Sequence, residues 1–167
     1  MTRTAVDHIQ LSVEDYPRAK AFYLKALKPL GWSLMMEFPE KGTPSHGGFA
    51  VDGKPFLWIG AGARQVPPTH IAFGATSRSE VDAFYKAAMA AGAKDNGPPG
   101  VRKLYHPNYY GAFVFDPEGH NIEAVFHGAP ATRKAPAKRA AKAAPKKRQA
   151  AAKRRKPTPA KRKKKAR

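Results

Sequence analysis

Residues 7–32, DHIQLSVEDYPRAKAFYLKALKPLGW, and residues 69–94, THIAFGATSRSEVDAFYKAAMAAGAK, align on each other without a gap at an offset of 62 positions. His8 meets His70, Ile9 meets Ile71, Ala21 meets Ala83, Phe22 meets Phe84, Tyr23 meets Tyr85 and Ala26 meets Ala88. The matches fall at the same places in two segments of the same pattern. That points to an internal duplication, which decides architecture before any motif does. Each copy opens with residues that alternate between two faces, as a strand does. Ile9, Leu11 and Val13 oppose His8, Gln10 and Ser12, while Ile71, Phe73 and Ala75 oppose His70, Ala72 and Gly74. A helix follows to cover the apolar face. Between Tyr16 and Leu30, Ala19, Phe22, Tyr23, Ala26 and Leu27 recur at three-four spacing, with Pro17 suited to a first turn and Gly31 just past the end. The second helix, capped by Ser77 or Ser79 with Glu80 in its first turn, carries Val81, Phe84, Tyr85, Ala88 and Met89 and stops at Gly92.

Three short apolar runs come after each helix. They are WSLMMEF, GGFAV and PFLWIG in the first half, then a run near Val101 to Leu104, YGAFVF and NIEAVF in the second. NGPPG at 96–100 reads as a stiff loop at the rim of a pocket. DGKPFLWIG at 52–60 also sits on EGHNIEAVF at 118–126, Gly53 on Gly119, which sets Leu57 opposite Glu123. The expected fold class is α+β, built of two βαβββ modules spanning about residues 5–60 and 68–128 within a domain of residues 1–128.

Charge divides the chain at the end of that domain. The whole sequence holds 31 Lys+Arg and 12 Asp+Glu, a net charge of +19. Residues 129–167 contain 18 of the basic residues and no acid, leaving 13 basic and 12 acidic residues, a net of +1, in residues 1–128. The tail is otherwise Ala, Pro, Thr and one Gln, so it cannot bury a core and is expected to be disordered alone. The absence of cysteine excludes disulfides, thiolate metal ligands and a cysteine nucleophile. No run approaches the roughly 18 apolar residues of a membrane span, and MTRTAVDHIQ lacks the apolar centre of a secretory signal. A cytoplasmic protein, nucleoid-associated through its tail, is the expectation.

Two histidines occupy equivalent strand positions on the face away from the covering helix, and Glu123 sits mid-strand with Ile122, Ala124 and Phe126 on its other side. If the halves pack around a shared concave sheet, His8, His70 and Glu123 converge. Two imidazoles and one carboxylate can hold a divalent ion while leaving positions open for water or substrate. Each histidine is alternatively a hydrogen-bonded structural residue, and Glu123 a buried acid paired with an arginine. His120 is expected at the surface after a Pro-Glu-Gly turn, His46 in a loop, and His127, on the strand parity of Glu123, as an outer partner.

The repeated module, the paired histidines of DHIQLSV and THIAFGA, and the closing DPEGHNIEAVF resemble the vicinal oxygen chelate superfamily, which includes glyoxalase I, extradiol dioxygenases, fosfomycin-resistance thiol transferases and bleomycin-resistance proteins. The resemblance covers about residues 5–128 and implies a cup-shaped mixed sheet with a metal on its floor. It implies His8, His70 and Glu123 as ligands to Fe, Mn, Ni, Co or Zn and a small-molecule substrate with neighbouring oxygens. The cup is completed in one chain or across a homodimer. The glutamate that glyoxalase I carries on the strand PFLWIG is replaced here by Leu57 or Trp58. This departure favours dioxygenase or thiol-transferase chemistry over the four-ligand lyase.

RKLYHPNYYGAF crowds polar aromatic groups beside a strand of the second half. His106 and Tyr110 are the first candidates for proton transfer. Arg102, Tyr105, Tyr109 and, from the first half, Trp58 are candidates for substrate contact, the bland alternative being a turn packed by tyrosines. The tail is compositionally similar to the carboxyl tails of linker histones and bacterial histone-like proteins. Lys146, Lys147, Arg148, Lys153, Arg154, Arg155, Lys156, Lys161, Arg162, Lys163, Lys164 and Lys165 are its candidate contacts to DNA or RNA phosphates, without sequence readout, the alternatives being acidic membrane lipid, an acidic protein partner or a solubilising role. The sequence therefore supports a metal-dependent glyoxalase- or dioxygenase-like enzyme tethered to nucleic acid. The alternative is a non-catalytic binding protein of the resistance type.

Overall fold

The computed structural model describes residues 6–129, so the basic tail from Pro130 onward lies outside the described residues. The elements run β1 (Ile9–Val13), α1 (Tyr16–Ala26), a 3-10 turn (Lys28–Leu30), β2 (Ser33–Glu40), β3 (Thr43–Val51) and β4 (Lys54–Ala61). The second series is β5 (His70–Gly74), α2 (Arg78–Ala90), β6 (Lys94–Val101), β7 (Tyr110–Phe115) and β8 (Asn121–Phe126). They form two four-stranded mixed sheets of the same topology, β1-β4-β3-β2 and β5-β8-β7-β6. β1 is parallel to β4 and β5 to β8, the remaining pairs being antiparallel. The duplication in sequence is thus a duplication of strand order, and the fold is the expected α+β pair of βαβββ modules. No described helix is long and apolar enough to cross a membrane.

Each helix lies on its own sheet and the two helices pack on each other. Leu11, Val13, Phe22, Tyr23 and Leu57 therefore share one core with Phe73, Phe84, Val114 and Ile122. Both helices begin at side-chain caps. Asp15 accepts from the backbone N–H of Arg18 at 3.0 Å, and Ser77 from that of Glu80 at 3.2 Å. Glu80 reaches back to the N–H of Thr76, just ahead of the cap, at 2.7 Å, which fixes the chain's entry into the helix.

Two boundaries differ from expectation. The first α-helix ends at Ala26 rather than Leu30, because Pro29 has no N–H to continue the ladder and the chain tightens into the 3-10 turn. NGPPG is not a loop but most of β6. It survives as a strand because β6 is an edge: it pairs only with β7, through Lys94, Asp95, Gly97, Gly100 and Val101, while Pro98 and Pro99 take no part.

The turn between β7 and β8 ties the halves together. Asp116 Oδ1 accepts from the backbone N–H groups of Glu118, at 2.9 Å, and His120, at 2.8 Å, and Oδ2 accepts from the Tyr23 hydroxyl of α1 at 2.6 Å. His120 is completely buried, contrary to the exposed position expected for it, and its Nδ1 accepts from the Thr69 N–H at 3.0 Å. Arg64, on the connection between modules, donates through Nη2 to the Glu118 carbonyl at 2.7 Å. Gly53 and Gly119 stand at φ +76° and +91° at the starts of β4 and β8, the left-handed geometry that both turns require. Burial foremost, then the negative charge of Asp116, holds the Tyr23 phenol far above its ordinary range.

Replacing Tyr23 with Phe removes one charge-assisted hydrogen bond inside this clasp and strands a buried carboxylate oxygen. The expected cost is about 2 kcal/mol, read as a lower urea midpoint at unchanged slope. A midpoint equal to that of the parent protein would show that the clasp does not hold the modules together.

Candidate active site

Side-chain alternation places the chemistry on the face of the second sheet that points away from α2. Ile122 and Ala124 enter the core while Glu123 lies on the opposite face, only 1% exposed. In β7, Gly111 and Phe113 share its parity, and Phe113 pairs directly with Glu123. A Cβ at Gly111 would stand 2.9 Å from Glu123 Oε1 and 3.1 Å from the Tyr109 ring. The missing side chain at 111 therefore makes the space in which carboxylate and phenol meet.

Two groups hold the carboxylate. Tyr109 donates its hydroxyl proton to Oε1 at 2.5 Å, and His70 Nε2 lies 3.0 Å from Oε2. With Glu123 as a carboxylate, His70 presents Nε2–H to it and leaves Nδ1 as an acceptor. Burial, then the bond to Glu123 and its charge, keeps the Tyr109 phenol well above its usual range. A further layer braces Tyr109, whose ring is flanked by His106 at 5.4 Å, His127 at 5.1 Å and Tyr105 at 4.7 Å. The Asn108 N–H donates to His106 Nδ1 at 3.1 Å, fixing the proton on Nε2, which donates to His127 Nδ1 at 2.8 Å.

His70 opens onto a pocket of about 770 Å³ lined also by Asn96, Arg102, Tyr105, Phe113 and Asn121. Arg102 and Tyr105 thus border it, as the sequence suggests. Tyr110 does not. It lies on the other face, donating to Asp82 of α2 at 2.8 Å with the Arg78 guanidinium 4.8 Å over its ring, so the adjacent tyrosines are split by the strand between helix and carboxylate. Trp58 lies on the first sheet, stacked on Phe38 at 6.0 Å, away from this pocket. His46 lies in β3 rather than in a loop, with its Nδ1 2.9 Å from Ser45 Oγ.

His8 and His70 are related by sequence but not by surroundings. His8 precedes β1, pairs with Asp7 at 2.9 Å, and lines a separate crevice with Trp32, Phe56, Ile71 and Phe73. Among the described residues no three His, Cys, Asp or Glu side chains stand close enough to hold a metal. Register explains what the first half has lost. Ile9 pairs with Leu57 and Gln10 with Trp58, whereas Ile71 pairs with Ile122 and Ala72 with Glu123. The counterpart of Glu123 is therefore Trp58, one place on from the Leu57 given by aligning the turns. The His70–Glu123 separation of 3.0 Å does suit two neighbouring ligands of one ion, since donors about 2.1 Å from a metal and at right angles stand about 3 Å apart. Of the three expected ligands, His70 and Glu123 thus stand together, and His8 lies elsewhere in the chain.

Topology and sequence agree with the comparisons. Residues 5–124 match the model of the glyoxalase/bleomycin resistance protein/dioxygenase superfamily, and the chain belongs to that family. A glyoxalase/bleomycin resistance protein from Albidiferax ferrireducens T118 is 26% identical, with 73% of this chain and 98% of that one covered at a TM-score of 0.58. A glyoxalase-related enzyme from Fulvimarina pelagi (21% identity, 75% and 88% covered, TM-score 0.56) shares the fold. So does a glyoxylase/bleomycin resistance protein/dioxygenase domain from Frankia sp. EAN1pec (17%, 76% and 100%, 0.58). No curated protein matches the sequence.

The raised Tyr109 phenol fixes a sign. A group whose folded value exceeds its unfolded value of about 10 contributes stability that is complete below that value. The contribution is lost as pH rises through the folded value. In an ultraviolet titration, several phenols, Tyr23 among them, are expected to ionise well above pH ~10; Tyr109→Phe should reduce that late amplitude by one phenol, and Glu123→Gln should bring one phenol part of the way back. An unchanged titration in both variants would place that phenol elsewhere.

Proposed function

We propose that this protein is a metal-dependent enzyme of glyoxalase or dioxygenase type, acting on a small substrate with neighbouring oxygens. The observation that carries the reading is the His70–Glu123 pair, set at the spacing of adjacent ligands beneath a pocket of about 770 Å³. His70 and Glu123 would hold Fe, Mn, Ni, Co or Zn, and His8 of a second copy would complete the set, the cup being closed across a homodimer. The bound ion would supply Lewis-acid stabilisation of oxygen-centred charge on a chelated substrate. Tyr109 keeps one carboxylate oxygen oriented, while the hydrogen-bonded His106 and His127, packed on its ring outside the pocket lining, are the candidates for relaying a proton. Tyr110 has no part in this assignment.

A second reading has its own support. His8 stands in an apolar crevice apart from His70, as it would in a protein that binds its ligand without an ion. Metal analysis of the full chain prepared without chelator separates the two. Near-stoichiometric metal that falls at least tenfold in His70→Ala and in Glu123→Gln is expected. A metal-free protein that still binds a small molecule in this pocket would establish the second reading.

The basic tail adds a nonspecific nucleic-acid tether in this proposal, supported by 18 Lys/Arg and no acid in residues 129–167. Neutralising about 6 to 10 phosphates gives a log-log salt slope of about −5 to −9 on duplex DNA. Truncation after residue 128 is expected to abolish binding. Equal affinity with and without the tail would rule the tether out.

A further inference from the structure

The pocket above His70 is lined by two cationic side chains, Arg102 and Lys103, and by no carboxylate, Glu123 being sealed beneath it. Arg102 is held in place rather than left to swing. Its Nη2 donates to the Pro98 carbonyl at 2.6 Å, and its guanidinium lies 5.3 Å from the centroid of the Phe113 ring. The strand beneath leaves room for it at one place: a Cβ at Gly97 would stand 3.1 Å from Nη2, closer than ordinary contact. Among the described residues no acid pairs with this guanidinium. Four of its five N–H donors are not engaged by Pro98. Across the pocket, Asn96 Nδ2 donates to Asn121 Oδ1 at 3.0 Å, which leaves the Asn121 amide N–H groups free to donate.

A buttressed guanidinium without a counterion, beside an aromatic face, is a receptor for an oxyanion that presents two oxygens to its fork. Its fork matches a carboxylate or phosphonate bidentately, and its fixed rotamer lowers the ordering cost of binding. We infer that the pocket takes small organic anions whose charged end, carboxylate or phosphonate, pairs with Arg102 while an apolar body lies along Phe113 towards His70. The inference names the substrate class for the proposed site and rests on reading this pocket as the place where substrate binds. Lys103, a flexible point charge at the same wall, contributes attraction without geometry.

The test uses the full chain, treated with chelator, in about 150 mM salt, with calorimetry and the His70 ring resonances as readouts. Mandelate and 1-phenylethane-1,2-diol share a ring and an α-hydroxyl but differ in charge. Mandelate is expected to bind at least tenfold more tightly than the diol and to shift His70. Arg102→Gln should weaken mandelate about tenfold, or about 1.4 kcal/mol, and leave the diol unchanged. Arg102→Lys should recover part of the loss, and Lys103→Gln should stay within about threefold of the parent. The tail is present in every sample, so its affinity for anions cancels between variants, and the shift of the His70 resonances distinguishes mandelate in the pocket from mandelate on the tail. Equal binding of mandelate and diol, no mandelate binding, or an Arg102→Gln protein with parental affinity would each overturn the inference. Should Arg102→Gln unfold, the wild-type preference and Arg102→Lys still decide. Because no metal is present in these titrations, a charge preference without metal binding would defeat only the enzyme reading. Metal binding without a charge preference would defeat only this inference.

Discussion

The structure depends on one carboxylate that has nothing to do with chemistry. Asp116 accepts two backbone N–H groups of its own turn and the hydroxyl of Tyr23 from the other module. A buried acid is costly unless its oxygens are all engaged, and here they are engaged by groups from both halves. The same turn delivers β8, and with it Glu123, at a fixed height in the second sheet. His120, packed at zero exposure against the linker, completes the junction. The Asp-Pro-x-Gly signature near the end of the domain is therefore diagnostic because it is a joint.

Duplication gave two sheets with one plan, and the outer faces have since diverged. Where the second sheet carries Glu123, the first carries Trp58, stacked on Phe38. Where His70 opens β5 and meets a carboxylate, His8 stands before β1 and meets exposed Asp7. One face is thus polar, the other aromatic. Concave small-molecule sites combine such walls, apolar surface for affinity and a few fixed polar groups for orientation.

Much of this was legible in the chain. Period-two and period-three-four patterns located both histidine strands, both helices and the repeated strand order, because these elements are amphipathic and their apolar faces must be buried. Parity also placed Glu123 away from the helix. It equally predicts that Tyr109 and Tyr110 point opposite ways. That parity argues against Tyr110 as a proton-transfer candidate and puts Tyr109, a candidate for substrate contact, on the face of Glu123. Three features were not legible. The equivalence of Trp58 with Glu123 depends on parallel register, which turn alignment misses by one residue. The burial of His120 depends on a tertiary contact with Thr69. The strand character of NGPPG depends on its edge position, which local propensity does not reveal. Whether the two histidines would meet was likewise a question of how the modules pack, and no pattern within either copy encodes that.

The two prolines of β6 carry one more consequence. An unprotected edge invites another chain to add itself as a further strand. Pro98 and Pro99 interrupt the row of amide donors along the outer margin of this sheet, beside the wall that holds Arg102. Amyloid-like stacking and accidental strand exchange are thereby discouraged at the mouth of the cavity.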